Sequence, residues 1–383
     1  MQVFLDRLSR SSIILIVYIM FYYAIKYYIV SHSLINVDLI DMGAMRESFD
    51  FGTKKMLGHW FPRHMGKGLR QMRAVLRKID CVIEVHDCRI PMSGRNPALQ
   101  MSLSAKPKLL VFNKVDSAQP TDKELELLHD RLRTEGVLDY LFTNCLPGDN
   151  GELDASVSEV IPRCVEIVNR DERYDREGEA GIEMMIVGVP NVGKSSLINA
   201  LRRTHLQKGK AAAVGRLPGQ TRSLMYKIKV CEKPLIYLHD TPGILEPKLK
   251  DLHSGMKLSL CNTIKDHLVG PAMIADYLLF TLNQKKQFKY VKLLFHHFYR
   301  YMEKYGFQVP CDDIHKVLLN LAIKAKKYQN RKVLTGTGSQ VIKIPDYNYA
   351  ANLMLADFRE GLLGKFIIDD LDESYDSIDY DWQ

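Results

Sequence analysis

Apolar and polar positions alternate in blocks along most of the chain. Six short runs read as strands: Cys81–His86, Leu109–Phe112, Tyr140–Thr143, Glu183–Val187, Met225–Val230 and Leu235–His239. Helical periodicity separates most of them, at Lys123–Arg133, Ser156–Asn169 and Ser195–Arg203. Strand and helix in alternation predict a doubly wound, mostly parallel sheet covered on both faces. Beyond about residue 252 the strand signals cease. Leucine-, lysine- and tyrosine-rich helical patterns run to about Tyr328, and a further helix covers Tyr349–Gly361. The expected C-terminal unit is therefore smaller and helical.

Three segments stand apart from this pattern. Ile13–Val30 is almost wholly apolar and aromatic, broken by Lys26, and is just long enough to span a bilayer. It reads as an anchor, as an uncleaved targeting signal, or as an over-extended start, with translation beginning at Met42 or Met45; the last is slightly favoured. From Lys54 to Lys78 the chain is basic with no acid between. There Met65, Leu69, Met72, Leu76 and Ile79 recur at three- and four-residue spacing, predicting an amphipathic helix over Met65–Lys78 with a basic face. The acidic stretch Ile368–Asp381 predicts a disordered tail. The expected division is an N-terminal extension over 1–57, an α/β domain over 58–251, a helical domain over 252–365 and an acidic tail over 366–383.

Composition changes this picture little. A chain of 383 residues with 46% hydrophobic content can bury a sizeable core. The net charge of +8 fits an acidic partner, such as RNA or a membrane surface, without requiring one. The seven cysteines are odd in number and contain no Cys-x-x-Cys pair, which argues against a disulfide framework and a zinc site.

The chemistry lies in the loops that follow the strands. Gly188-Val-Pro-Asn191-Val192-Gly193-Lys194-Ser195 follows a strand and opens a helix, the setting of a phosphate-binding loop. Glycine-rich backbone turns N–H groups towards phosphates, and the helix start adds partial positive charge. Lys194 would reach the β/γ-phosphates, and Ser195 would ligate Mg²⁺. Asp240-Thr-Pro-Gly243 ends the last strand: Asp240 is placed to hold Mg²⁺ through water, and the N–H of Gly243 to meet the γ-phosphate. Between them Thr221, in Gly219-Gln-Thr-Arg222, is placed as a second hydroxyl ligand and γ-phosphate sensor. Asn113-Lys114-Val115-Asp116 ends another strand. The Asp116 carboxylate can accept two hydrogen bonds from the guanine N1–H and 2-amino group, a donor pair adenine lacks. Thr143-Asn144-Cys145 is placed to support the base through its backbone.

These motifs come in permuted order, with the base-reading loop ahead of the phosphate loop. The ligand of a doubly wound sheet sits at the carboxyl ends of the strands, so the loops need to be adjacent in space and not in sequence. The permutation also leads Asp240–Gly243 straight into the C-terminal helical domain, so loss of the γ-phosphate is expected to be felt there.

Taken with Trp60-Phe-Pro-Arg63-His64-Met-Gly-Lys67 and Glu84-Val-His-Asp87-Cys-Arg89-Ile-Pro91, this order resembles the circularly permuted YlqF/RbgA GTPases over about residues 58–365. The resemblance implies a circularly permuted P-loop GTPase domain followed by a helical domain. It implies GTP and Mg²⁺, with Asn191 at a position that helps bind K⁺ in related GTPases, and Val192 and Ser196 within the nucleotide loop. It further implies action on the large mitochondrial ribosomal subunit through ribosomal RNA and proteins, without DNA, peripherally on the matrix side of the inner membrane. Ile244 stands where many GTPases carry a water-orienting glutamine, so turnover is expected to be slow without a partner. His64 is the family's candidate for that role, although Arg63 replaces the glycine usual before it; an ordinary RNA contact is the alternative. An ATP-using P-loop enzyme, a non-hydrolysing GTP-dependent scaffold and a membrane-anchored signalling GTPase are the competing readings.

Overall fold

A computed structural model describes residues 45–52, 72–148, 150–170, 176, 178–179, 181–208, 226–243, 251–285, 305, 311–335 and 338–372. The α/β unit runs β1 (Cys81–Asp87), α1 (Pro97–Leu103), β2 (Lys108–Asn113), α2 (Val115–Ala118), α3 (Asp122–Thr134), β3 (Tyr140–Thr143), α4 (Ala155–Arg170), β4 (Ile182–Val187), α5 (Lys194–Leu206), β5 (Tyr226–Cys231) and β6 (Ile236–Asp240). The strands form one sheet in the order β3-β2-β1-β4-β6-β5. All neighbours are parallel except the edge strand β5, which runs against β6.

Each central strand is buried on both faces, which is why it reads as a continuous apolar run. Ile83, Val85, Leu109, Val111, Met184 and Ile186 pack on one side with Val160 and Ile161 of α4 and Leu197 and Leu201 of α5. On the other side, Leu110 and Phe112 meet Leu128 and Leu132 of α3. Val82, Met185 and Val187 meet Leu99 and Leu103 of α1. Helix α3 starts on a capping box, with the Thr121 hydroxyl receiving the Glu124 N–H and the Glu124 carboxylate receiving that of Thr121.

The C-terminal unit comprises α6 (Leu252–Leu260), α7 (Asp266–Val269), α8 (Pro271–Gln284), α9 (Ile314–Lys324), β7 (Tyr328–Thr335), β8 (Gly338–Pro345) and α10 (Tyr347–Arg359). Its apolar residues, among them Leu278, Leu282, Leu321, Met354 and Phe358, join the core on the α4–α5 side of the sheet without a break.

Three expectations change. The strands do not cease at residue 252, because β7 and β8 pair as an antiparallel hairpin. The helical pattern ends at about Tyr328 and the stretch before Tyr349 carries no assigned element in the sequence, although Gly336 and Gly338 disfavour helix there and Val333, Thr335, Thr337, Val341, Ile342 and Ile344 are β-branched. The start of the acidic tail is packed: Ile367 and Ile368 are buried, and Asp369 accepts the N–H groups of Met92 at 2.8 Å and Ser93 at 2.9 Å. These contacts outweigh the acidic composition locally; residues 373–383 lie outside the described residues. Residues 45–52, read as part of the extension, dock on the C-terminal unit. Arg46 bridges Asp276 and Asp312 at 2.8 and 2.9 Å, and Phe49 packs edge-on against Tyr277.

Of the predicted helix Met65–Lys78, only residues 72–78 are described, helical to 75 and then a tighter 3₁₀ turn over Leu76–Lys78. Ile13–Val30 lies outside the described residues. Among those described, no helix is long and apolar enough to cross a membrane. All seven cysteines are free thiols.

Candidate nucleotide site

The carboxyl ends of β1, β2, β3, β4 and β6 converge, as the sheet topology requires, and the separate motifs meet there. Asn113 is the fastener. Its buried Nδ2 donates to the Val192 carbonyl of the phosphate loop at 2.8 Å, and its Oδ1 accepts from the Thr143 hydroxyl at 3.2 Å. Base-reading loop, phosphate loop and the end of β3 are thereby held by one side chain. Gly193 has φ 101°, and a Cβ there would stand 2.1 Å from Asn113 Nδ2, so only glycine permits the bond. Asn144 accepts the N–H of Leu146 at 3.0 Å, which shapes the turn after β3.

Lys114 sits in the left-handed region, φ 64°, at the start of α2. Its Nζ donates to the Asn191 carbonyl at 2.5 Å and to Asp87 Oδ2 at 2.9 Å. Asp87 in turn receives Arg89 Nε at 3.0 Å and an Arg89 Nη at 2.8 Å. Burial alone would raise the Asp87 pKa, but Arg89 and Lys114 reverse this and hold it well below the usual carboxylate range. Asp87 and Arg89 entered the sequence reading only within the motif that carries the resemblance, without a role at the site. The available signal was positional: Asp87 lies in register with Asn113 at the end of the neighbouring strand.

Asp116 has one oxygen on the Ser117 hydroxyl at 3.1 Å, whereas Oδ1 is buried with no hydrogen-bond partner. A buried orphan acceptor is costly unless a ligand satisfies it, and guanine's N1–H and 2-amino group are suitable donors. Asp240 repeats the pattern: it is buried, and its Oδ1 has no partner. Burial pushes its carboxyl pKa up against the pull of Lys194. A divalent cation would remove that penalty, so the donor set of Asp240 and the Ser195 hydroxyl at the start of α5 fits Mg²⁺. The adjoining Thr241 hydroxyl ties this strand end to β4 through the Ile186 carbonyl at 2.7 Å. Gly243 lies so close to the phosphate loop that a Cβ would come within 2.7 Å of Pro190 backbone atoms.

Lys194 is buried, with Nζ on the carbonyls of Gly188 at 3.0 Å and Val189 at 2.9 Å. Loss of water, partly offset by Asp240, pushes its pKa down to about 8. Triphosphate would restore the charged form and raise that value again. Nucleotide binding is therefore expected to take up a proton at about pH 8.5, and GTP affinity to fall by up to about tenfold per pH unit above 8. Calorimetry in two buffers of different ionisation enthalpy measures the uptake; identical heats in both would refute it.

Asn191 has φ 61°, and its Nδ2 donates to the Asn262 carbonyl, between α6 and α7, at 2.6 Å. The phosphate loop thus touches the C-terminal unit directly, a contact the sequence did not reveal. His64, Thr221 and Ile244 lie outside the described residues.

A family model described as 50S ribosome-binding GTPase matches residues 183–306. Mitochondrial ribosome-associated GTPase 1 of Xenopus tropicalis is 48% identical over 325 residues, covering 85% of this chain and 98% of the relative. The chain belongs to the mitochondrial ribosome-associated GTPase 1 family. The family's Bos taurus member is 47% identical over 85% of this chain and 92% of its own length. Mitochondrial GTPase 1 of Schizosaccharomyces pombe retains 29% identity over 86% of this chain and 94% of its own. GNP-bound YlqF from T. maritima superposes with a TM-score of 0.46 at 19% identity, covering 80% of this chain and 98% of that structure. The chain is accordingly a mitochondrial GTPase with a circularly permuted G domain, which hydrolyses GTP.

Proposed function

We propose that this GTPase is an assembly factor for the large mitochondrial ribosomal subunit and a partner-stimulated switch supporting mitochondrial translation. It would act peripherally on the matrix side of the inner membrane. In this reading Asp116 reads guanine, Asn113 and Lys114 brace the loop beneath it, and Lys194 neutralises the transferred phosphate. Val115, Thr143, Asn144, Asn191, Val192, Gly193 and Ser196 complete the nucleotide's surroundings. Ser195, Thr221 and Asp240 hold Mg²⁺, which when bound neutralises charge on the β- and γ-phosphates. Asn191 can add K⁺. Gly243 meets the γ-phosphate, and His64 assists the attacking water. Residues 58–251 form the G domain in this scheme and 252–365 its responding partner.

The observation that carries the reading is the Asn191–Asn262 hydrogen bond. It supports a path by which loss of the γ-phosphate reaches the C-terminal unit. The names of the relatives, which speak of ribosome association, suggest the partner. GTP turnover measured with and without purified large mitochondrial subunits tests it. Stimulation of at least tenfold is expected, lost in His64→Ala. Equal turnover with and without subunits would refute the switch, and unchanged stimulation in His64→Ala would remove that residue from it.

A further inference from the structure

The hairpin β7–β8 contributes no residue to the nucleotide site. It pairs eight residues with eight, from Tyr328↔Pro345 to Thr335↔Gly338, and so reaches about 25 Å at a strand rise of about 3.4 Å per residue. Residues 327–332 and 341–343 are all exposed, with Tyr328 51%, Val341 56% and Ile342 38% accessible. Because successive side chains point to opposite faces, this exposure means that both faces of that stretch meet solvent. A two-stranded ribbon alone in water is marginally stable at best, so a stretch exposed on both faces calls for a partner.

The ribbon's charge says what kind. Residues 324–345 contain Lys324, Lys326, Lys327, Arg331, Lys332 and Lys343 and no acid at all. Among the described residues, Arg331, Lys332 and Lys343 enter no ion pair. The next acid in the chain, Asp346, is engaged in capping α10, where it accepts the Tyr349 N–H at 2.9 Å. The register sorts the side chains. One face carries Tyr328, Asn330 and Lys332 beside Lys343 and Val341; the other carries Gln329 and Arg331 beside Ile342 and Ile344. One face thus offers two lysines, an amide and an accessible aromatic ring. That is a combination suited to phosphates and a stacked base, whereas a protein groove would favour an apolar face.

We propose that the β7–β8 ribbon docks on RNA, with Lys332 and Lys343 on the face that also carries Tyr328 and Asn330, and Arg331 on the opposite face, contacting backbone phosphates on either side of the ribbon. The proposal rests on the ribosomal reading above for the identity of that RNA and on the ribbon's own charge for its class.

The test uses the full chain carrying Arg331→Gln, Lys332→Gln and Lys343→Gln together. Binding to transcripts of large- and small-subunit mitochondrial ribosomal RNA is measured over a range of salt. Three lost phosphate contacts should make the log–log salt dependence shallower by about two to three units, since each contact contributes about 0.7 to 0.9. Affinity for the large-subunit transcript at low salt should fall at least tenfold, with basal GTP turnover unchanged. A companion chain with Arg331→Lys, Lys332→Arg and Lys343→Arg should bind as the parent does; weak binding there would overturn the electrostatic assignment. Unchanged RNA affinity in the Gln chain would overturn the proposal outright. So would unchanged RNA affinity with loss of association to intact subunits, which would point to a protein partner. If the parent binds both transcripts equally and the Gln chain loses both, the ribbon stands as an RNA element while the large-subunit reading fails.

Discussion

An Asp116→Asn chain is expected to lose GTP affinity by about a hundred- to ten-thousandfold and to gain affinity for xanthosine triphosphate. Two hydrogen bonds from guanine to a carboxylate are at stake, each contributing about 1.5 to 3 kcal/mol. At about 1.4 kcal/mol per factor of ten, their joint loss gives that range. The amide also turns a donor towards the guanine 2-amino group, so attraction at that atom becomes donor against donor. Xanthine carries a carbonyl oxygen there and would accept from the same amide. The fold itself should not suffer. In the ligand-free chain Asp116 gives up only the Ser117 hydroxyl, and its Oδ1 has no partner to lose. Thermal stability without nucleotide should therefore stay level or rise, since a partly buried, under-satisfied charge is removed. Displacement of a fluorescent nucleotide by the two triphosphates reads the effect. Equal weakening of both would show that Asp116 serves the loop's shape and not the base.

That variant probes a residue that could be named before any coordinates, and the reason it could be named is local. A phosphate loop, a guanine-reading loop and a metal-holding strand end are short segments whose residue types follow from ligand chemistry. The strands behind the first two are buried on both faces and the third alternates, so apolar positions mark all three to within one or two residues, and the meeting of their ends follows from topology. What escaped was non-local or ambiguous in period. The hairpin Tyr328–Pro345 combines lysines common in helices with β-branched residues and two glycines, and the pairing of two halves decides between them. Asp369 lies in a stretch whose charge suggested disorder, yet Met92, Ser93 and Lys257 converge on it, the last at 3.3 Å. Neither its partners nor the Asn191–Asn262 contact could be read from spacing, since tens to hundreds of residues separate them.

Asp87 is the clearest such case, and replacing it should cost more stability than any other single change at the site. Its side chain is 1% exposed and lies between the guanidinium of Arg89, itself 6% exposed, and the Lys114 ammonium. Asp87→Ala would leave a buried guanidinium without its counter-charge, a loss of about 3 to 5 kcal/mol. For a unit of this size that corresponds to a melting temperature lower by roughly 10 °C. The pair need not stabilise the fold relative to an apolar one, because both ions lose their hydration. The double replacement Asp87→Leu with Arg89→Met should therefore recover much of what Asp87→Ala loses. Function should separate from stability in these chains. Lys114 keeps its bond to the Asn191 carbonyl but loses the carboxylate that steadies it. GTP binding should thus stay weakened in the double variant even where the melting temperature returns, with KM raised more than kcat is lowered. The pH dependence has a fixed sign. A carboxylate held below its ordinary range contributes stability above the unfolded value of about 3.9, lost only as pH falls through the lower folded value. The Asp87 contribution should accordingly persist undiminished from pH 8 to about 5, and the gap in melting temperature between parent and Asp87→Ala should be constant over that window. Below about pH 4 the gap should narrow; a gap that stays constant there would mean that Asp87 titrates at its ordinary value and that Arg89 and Lys114 do not hold it below, and one that widens as pH falls from 8 to 5 would mean that burial has raised it.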